Sequence, residues 1–140
     1  MKILLAVDGS SYTKKMLAYV TTHSDLFTVQ NDFTVFTMRP SFPDRAIKVV
    51  GKGVVDEYHV EEAEKIIAPV TKFLLRHGID AKSSWKAGDV GAGIARFAES
   101  QKFDLVVMGS HGHGAIASLV MGSVATQVLA HCKVPLLLVR

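Results

Sequence analysis

The stretch Leu105-Val106-Val107-Met108-Gly109-Ser110-His111-Gly112-His113-Gly114, with Met121-Gly122-Ser123 a few residues on, decides the architecture. Its first four residues are apolar without polar alternation, the mark of a strand covered on both faces. The chain then passes into glycines and polar residues, and an apolar helical pattern follows from Ser123 to His131. A buried strand that feeds a helix through a glycine-rich loop predicts a parallel α/β sheet.

The rest of the chain repeats that alternation. Four further runs, Lys2 to Val7, Phe33 to Met38, Ala81 to Ala87 and Val134 to Val139, have strand length. Between them lie helical patterns. Ser11 to Thr22 places Met16, Leu17 and Val20 on one face behind Ser10, an expected N-cap. From about Asp56 to His77, Val60, Ala63, Ile67, Val70 and Leu74 recur at helical spacing, and Gly78 stands just past the end. Pro69 lies inside this pattern and predicts a bend near Ala68 or a break into two pieces. Val90 to Ser100 follows Asp89 as cap, and Ser123 to His131 follows Gly122. The segment from Arg39 to about Val55 holds two prolines, two glycines and the basic residues Arg39, Arg45, Lys48 and Lys52. It reads as a surface loop, either a cover for a ligand or a tolerated insertion.

The resulting order is β-α-β-α-β-α-β-α-β. Right-handed crossovers then give an α/β fold: one domain over residues 1-140, a single doubly wound five-stranded parallel sheet of order 3-2-1-4-5 flanked by four helices. Such sheets bind ligands outside the carboxyl ends of the strands where the winding reverses. Here that point lies between the first and fourth strands, whose ends carry Asp8 and Gly109.

Composition narrows the functional classes. The chain has 140 residues, 49% apolar and 21% charged, an ordinary globular balance for one core. Cys132 is the only cysteine, so no internal disulfide is available and a cytoplasmic setting fits best. No run reaches the roughly 18 apolar residues of a membrane span. The net charge of +3 is scattered along the chain and not gathered into basic runs, which argues against nucleic acid as a partner.

The glycine-bracketed stretch carries the most specific chemistry. Gly109 and Gly112 let backbone approach a ligand, while Gly122 and Ser123 present unpaired N–H groups and a hydroxyl at a helix start. Orphan N–H donors and the positive end of the helix dipole attract phosphate without a lysine. The spacing runs glycine, two residues, glycine, nine residues, glycine and serine, filled by Gly109, Gly112, Gly122 and Ser123. In this it resembles the nucleotide-binding members of the universal stress protein family. Ile3-Leu4-Leu5-Ala6-Val7-Asp8-Gly9-Ser10, Gly88-Asp89 and Asp104 to Ser110 are similar to the family as well, so the likeness spans nearly the whole chain. Residues 39 to 55 match no motif.

The resemblance implies an adenine nucleotide alpha-hydrolase-like fold binding ATP or AMP, with Mg²⁺ or Mn²⁺ held through the phosphates. By position, Asp8 would stand beside the ribose or the phosphates and their metal, and the Met38 backbone would meet the adenine edge. Ala6, Val7 and Met108 would line the pocket; Gly109, His111 and Gly112 would approach sugar and phosphates; Gly122, Ser123 and Val124 would cradle the phosphate tail. The alternative for Asp8 is a helix cap. The resemblance also implies a homodimer through the strand Val134 to Val139, an apolar edge whose only guard is Arg140, and a protein partner that reads a nucleotide-dependent state.

Other motifs carry less. Gly112 to Ala117 matches the loose pattern G-x-G-x-x-A but lacks the ribose acid about twenty residues on. No G-x-x-x-x-G-K-[ST] occurs, so catalysis is not the expected purpose, and slow ATP hydrolysis through His111 and Asp8 is the enzymatic rival. A nucleotide-independent dimeric interaction protein is the other. His111 and His113, with Asp8 or His59, have the residue types of a metal site, though two loop histidines more often bond to backbone or water.

Overall fold

The computed structural model describes residues 1–116 and 118–140. Five strands, β1 Lys2–Ala6, β2 Asp32–Pro40, β3 Lys82–Gly88, β4 Leu105–Gly109 and β5 Leu136–Val139, form one sheet of order β3-β2-β1-β4-β5. Every pairing is parallel, and β1 is hydrogen-bonded to β2 on one side and β4 on the other. The doubly wound topology expected from the alternating pattern is the one observed.

The helices among the described residues number five rather than four: α1 Ser11–Thr22, α2 Asp44–Val50, α3 Lys52–Arg76, α4 Val90–Ser100 and α5 Ser123–His131. The additional helix, α2, occupies the segment expected as a loop. Pro43 presets its entry at φ −57°, Asp44 faces the positive end of the dipole, and Lys48 sits in the last turn. Gly51, at φ +99°, separates α2 from α3, a conformation open to glycine alone at little cost. A helix this short shows little periodicity, and its lack of buried residues removed the usual signal.

The expected break at Pro69 does not occur, and α3 runs through it as one helix. An interior proline costs about 3 kcal/mol, which burial of Val55, His59, Ala63, Ile67, Val70 and Leu74 along the same helix outweighs. The inward faces of α1 and α3 cover one side of the sheet through Ile3, Leu5, Val35 and Val107. On the other side α4 and α5 pack on Leu4, Phe36, Val106 and Met108. Alternate residues of β1, β2 and β4 thus feed two cores, which is why these strands lack a polar face. β3 and β5 are the edges.

Candidate functional site

Past the ends of β1, β2 and β4 the chain encloses a cavity of about 440 Å³, within the range of about 300–1,000 Å³ usual for small-molecule pockets. Each residue named from the sequence lines it: Ala6, Val7 and Asp8 from β1 and its exit, Met38 from β2, and Met108 and Gly109 from β4. His111 and Gly112 come from the following loop, and Gly122, Ser123 and Val124 from the start of α5. Ala6, Val7, Met38 and Met108 are buried, giving an apolar floor that Val90 and Ile94 of α4 extend.

The polar wall is built from backbone. The last bond between β1 and β2 runs from the Val7 N–H to the Phe36 carbonyl at 2.9 Å. Residues of a strand alternate the side to which their backbone groups point, so the Met38 N–H and C=O face the same seam two residues later, past the end of β1. At the other end of the cavity α5 begins with Gly122 as N-cap, which has no side-chain oxygen to satisfy the first turn. Ser123, Val124 and Ala125 therefore keep orphan N–H groups at the positive end of the helix. Two strand spacings separate β2 from β4, about 10 Å, so the two sets of groups can hold opposite ends of one elongated ligand.

The glycines line the cavity and also make room for neighbouring parts of the chain. The Gly122 N–H is not unpaired, because it donates to the Ser110 carbonyl at 2.7 Å and closes the loop of residues 110–122 onto α5. A Cβ at Gly122 would lie 3.1 Å from His111 Cα and 3.2 Å from that carbonyl. Gly109 gives way to a helix, since its Cβ would stand 2.6 Å from Tyr12 Cβ of α1. Gly109→Ala should accordingly lower stability by about 1–3 kcal/mol through overpacking, read as a shift of the urea midpoint with an unchanged slope. Gly112 approaches Asp8 so closely that a Cβ would meet Oδ2 at 2.5 Å.

Asp8 is pinned at one oxygen and open at the other. Its Oδ1 accepts from the Ser10 N–H at 2.9 Å and from Thr13 Oγ1 at 3.0 Å, while Thr13 Oγ1 accepts from the Asp8 N–H at 3.1 Å. Oδ2 makes no hydrogen bond and is on the Gly112 side. Asp8 thus holds the Ser10 N–H and the Thr13 hydroxyl at the entry of α1, without the bond to a backbone N–H of its first turn that the cap reading from sequence requires, and keeps an oxygen for the cavity. Ser10 stands at the N-cap position but makes no capping bond through its side chain, and its buried Oγ has no hydrogen-bond partner.

The histidines hold the loop. His111 Nε2 donates to the Leu119 carbonyl at 2.8 Å while Nδ1 accepts from Ser110 Oγ at 2.9 Å, the tautomer that satisfies both partners. His113 Nε2 donates to the Asp8 carbonyl at 2.8 Å. In both loop histidines Nε2 is spent on a backbone carbonyl, and His59 lies on α3 among Phe42, Tyr58 and Trp85. Among the described residues no three His, Cys, Asp or Glu side chains converge as a metal cluster.

Thr13, Arg39, Ile94 and Ala125 line the cavity and were not named from sequence. Thr13 had a signal, a hydroxyl five residues past Asp8 at a helix start. Arg39 was counted with the surface loop but belongs to β2, and among the described residues it is the sole lysine or arginine on the cavity wall.

The universal stress protein family model matches residues 1–140. A universal stress protein of Thermus aquaticus is 32% identical over 149 aligned positions, covering 99% of this chain and 97% of that protein. Universal stress protein Slr1230 of Synechocystis is 28% identical over 139, and there the chain spans only 42% of the relative. Among solved structures, protein MJ0577 of Methanocaldococcus jannaschii superposes with a TM-score of 0.79 at 26% identity, covering 99% of this chain and 94% of that one. The Archaeoglobus fulgidus universal stress protein in complex with dAMP and an Arabidopsis thaliana family member with AMP bound share the fold. Their TM-scores are 0.68 and 0.69 at 19% and 14% identity; the first match covers 100% of this chain and 98% of that one, the second 99% and 91%. This chain belongs to the universal stress protein family.

Proposed function

We propose that this chain binds an adenine nucleotide, ATP or AMP, in the cavity at the strand ends and acts as a stress-response or signalling module whose nucleotide-bound state a protein partner reads. The observation that carries the reading is the pairing, across one cavity, of orphan N–H groups at Ser123, Val124 and Ala125 with the free backbone edge of Met38. The first set suits phosphate oxygens; a peptide N–H beside a C=O suits the acceptor and amino group of an adenine edge. Relatives of the same fold with AMP and dAMP bound support the ligand class.

Ala6, Val7, Met108 and Ile94 would flank the base, and Asp8 Oδ2 would face the ribose or a phosphate-bound cation. Mg²⁺ or Mn²⁺, when bound, would neutralise phosphate charge, with Asp8 the sole carboxylate among the described residues of the wall. Hydrogen bonds to charged oxygens contribute about 1.5–3 kcal/mol each, so three of them with apolar burial of the base reach the about 8 kcal/mol of a micromolar ligand. Among the described residues His111 has both ring nitrogens engaged, by the Leu119 carbonyl and by Ser110 Oγ, and His113 spends Nε2 on the Asp8 carbonyl, which leaves Asp8 Oδ2 as the group the hydrolase reading would need. We read the chain as a binding protein of the cytoplasm, with slow ATP hydrolysis as the enzymatic rival. The β5 edge, each of its residues half-buried, would pair with a second copy through the strand Val134 to Val139.

Isothermal calorimetry with ATP, AMP and cyclic AMP tests this: at least one is expected to bind at micromolar concentration with one site per chain. Absence of heat from all three would leave the nucleotide-independent interaction protein standing. Phosphate release well above background that vanishes in Asp8→Asn would replace the binding reading with the hydrolase.

A further inference from the structure

Opposite the β5 edge, where α3 covers β2 and β3 and α2 packs on α3, the surface is apolar at its centre and divided in charge. A hollow of about 240 Å³ opens between the two helices, with Phe42, Val50, Val54 and Tyr58 on its wall. Those four are exposed, and beside them Val49 stands 82% exposed on α2. An apolar cluster of this extent on a soluble domain marks a contact surface.

The charges around it are segregated. Residues 44–52 carry Arg45, Lys48 and Lys52 against the single carboxylate of Asp44, whereas residues 56–64 carry Asp56, Glu57, Glu61, Glu62 and Glu64 with no lysine or arginine. Arg45, Lys48 and Val49 are spaced three and four apart and so share one face of α2; Val54, Glu57, Tyr58 and Glu61 do the same on α3. Among the described residues the ion pairs are Lys65–Glu62 and Lys82–Asp32, so Arg45, Lys48, Lys52, Glu57 and Glu61 have no charged partner. None of the five makes a side-chain hydrogen bond either, and each is exposed.

We propose that this face binds the same face of a second copy of the chain about a two-fold axis. Val49 of each copy would enter the hollow of the other, with Arg45 and Lys48 against Glu57 and Glu61. An acidic partner would satisfy the α2 half alone and a basic one the α3 half alone. A surface carrying both halves in the reverse direction neutralises all of them, and a second copy turned about a two-fold axis is such a surface. This contact is separate from pairing at β5, since the two lie at opposite edges of the sheet, and one can form without the other.

Sedimentation velocity on the full chain tests it. Val49→Glu, at a position too exposed to alter the fold, is expected to lower the mass of the wild-type species by breaking this contact and to leave the circular dichroism unchanged. If β5 does not pair the change is from dimer to monomer; if it does, Val49→Glu is expected to leave the β5 dimer as the largest species. Reversing the basic pair (Arg45→Glu, Lys48→Glu) or the acidic pair (Glu57→Lys, Glu61→Lys) should weaken self-association at least about tenfold. Combining all four in one chain should restore it, because the swapped charges again match across the axis. Wild-type mass in Val49→Glu, or a combined variant as weak as either pair alone, would overturn the proposal. So would flotation of the wild type with vesicles containing phosphatidylserine that Val49→Glu abolishes, which would assign the face to lipid.

Discussion

Gly122→Val is expected to weaken adenine-nucleotide binding by about 100-fold while the chain stays folded. The cause lies in the contact between the glycine loop and α5. At Gly122 a Cβ already stands 3.1 Å from His111 Cα and 3.2 Å from the Ser110 carbonyl, and valine adds two methyl groups to that space. Both neighbours are backbone, so no side-chain rotation relieves the clash. The residues around 110 and 111 must withdraw from α5, and the 2.7 Å bond from the Gly122 N–H to the Ser110 carbonyl goes with them.

Moving that loop changes how Ser123, Val124 and Ala125 face the cavity. Loss of two contacts to charged oxygen, at about 1.5 kcal/mol each, gives roughly the stated factor. The fold itself should survive, since Gly122 has φ −73° and ψ 166°, angles open to any residue, and is only half-buried. Calorimetry with the tightest-binding nucleotide measures the effect, and circular dichroism checks the fold. Equal affinities in the two proteins would remove the start of α5 from the binding site. Gly122→Ala, whose single methyl group requires the same backbone atoms to give by only a few tenths of an ångström, should fall between.

The largest loss of stability is expected from Phe36→Ala, about 3–5 kcal/mol. Phe36 is fully buried on β2, stacked parallel to Phe97 of α4 with ring centroids 4.0 Å apart, and Phe97 in turn contacts Phe103 at 5.7 Å. Its removal strips one partner from an aromatic row and leaves a void that cannot close. The strand cannot move inward, because β2 is hydrogen-bonded to β1 on one side and to β3 on the other. For a chain of this size the melting temperature should fall by on the order of 10 °C. Leu75→Ala, at a position 61% exposed, is the control and should change stability by no more than about 0.5 kcal/mol. A similar drop in both variants would mean that stability does not reside in the α4 side of the sheet.

The parallel sheet was legible because burial on both faces leaves a direct trace in sequence. Ile3 to Leu5 and Val106 to Val107 are fully buried and uniformly apolar, and no other common element explains short runs of that kind. The helix caps of α4 and α5 were legible as well. The Asp89 side chain accepts from the Ala92 N–H, and α5 starts at the residue after Gly122. Where local pattern and burial disagree, the sequence was a poorer guide. α2 buries none of its own residues, and α3 runs through Pro69 because six buried positions hold it in place.

The same division runs through the candidate site. By itself the amino-acid sequence determined the alternation of strands and helices and the glycine spacing, and through these the family resemblance that placed Asp8, Met38 and the start of α5 at the strand ends. Only the tertiary structure decided what each residue does there. Gly109 accommodates Tyr12, Gly112 accommodates Asp8, and the Gly122 N–H closes a loop. Arg39 turned from a surface charge into a wall residue, and Thr13 into the group that orients Asp8. The physical reason is that a missing side chain records that something comes close without recording what. A ligand and a neighbouring helix exclude a Cβ equally well, and packing between residues distant in the chain determines which of them is there.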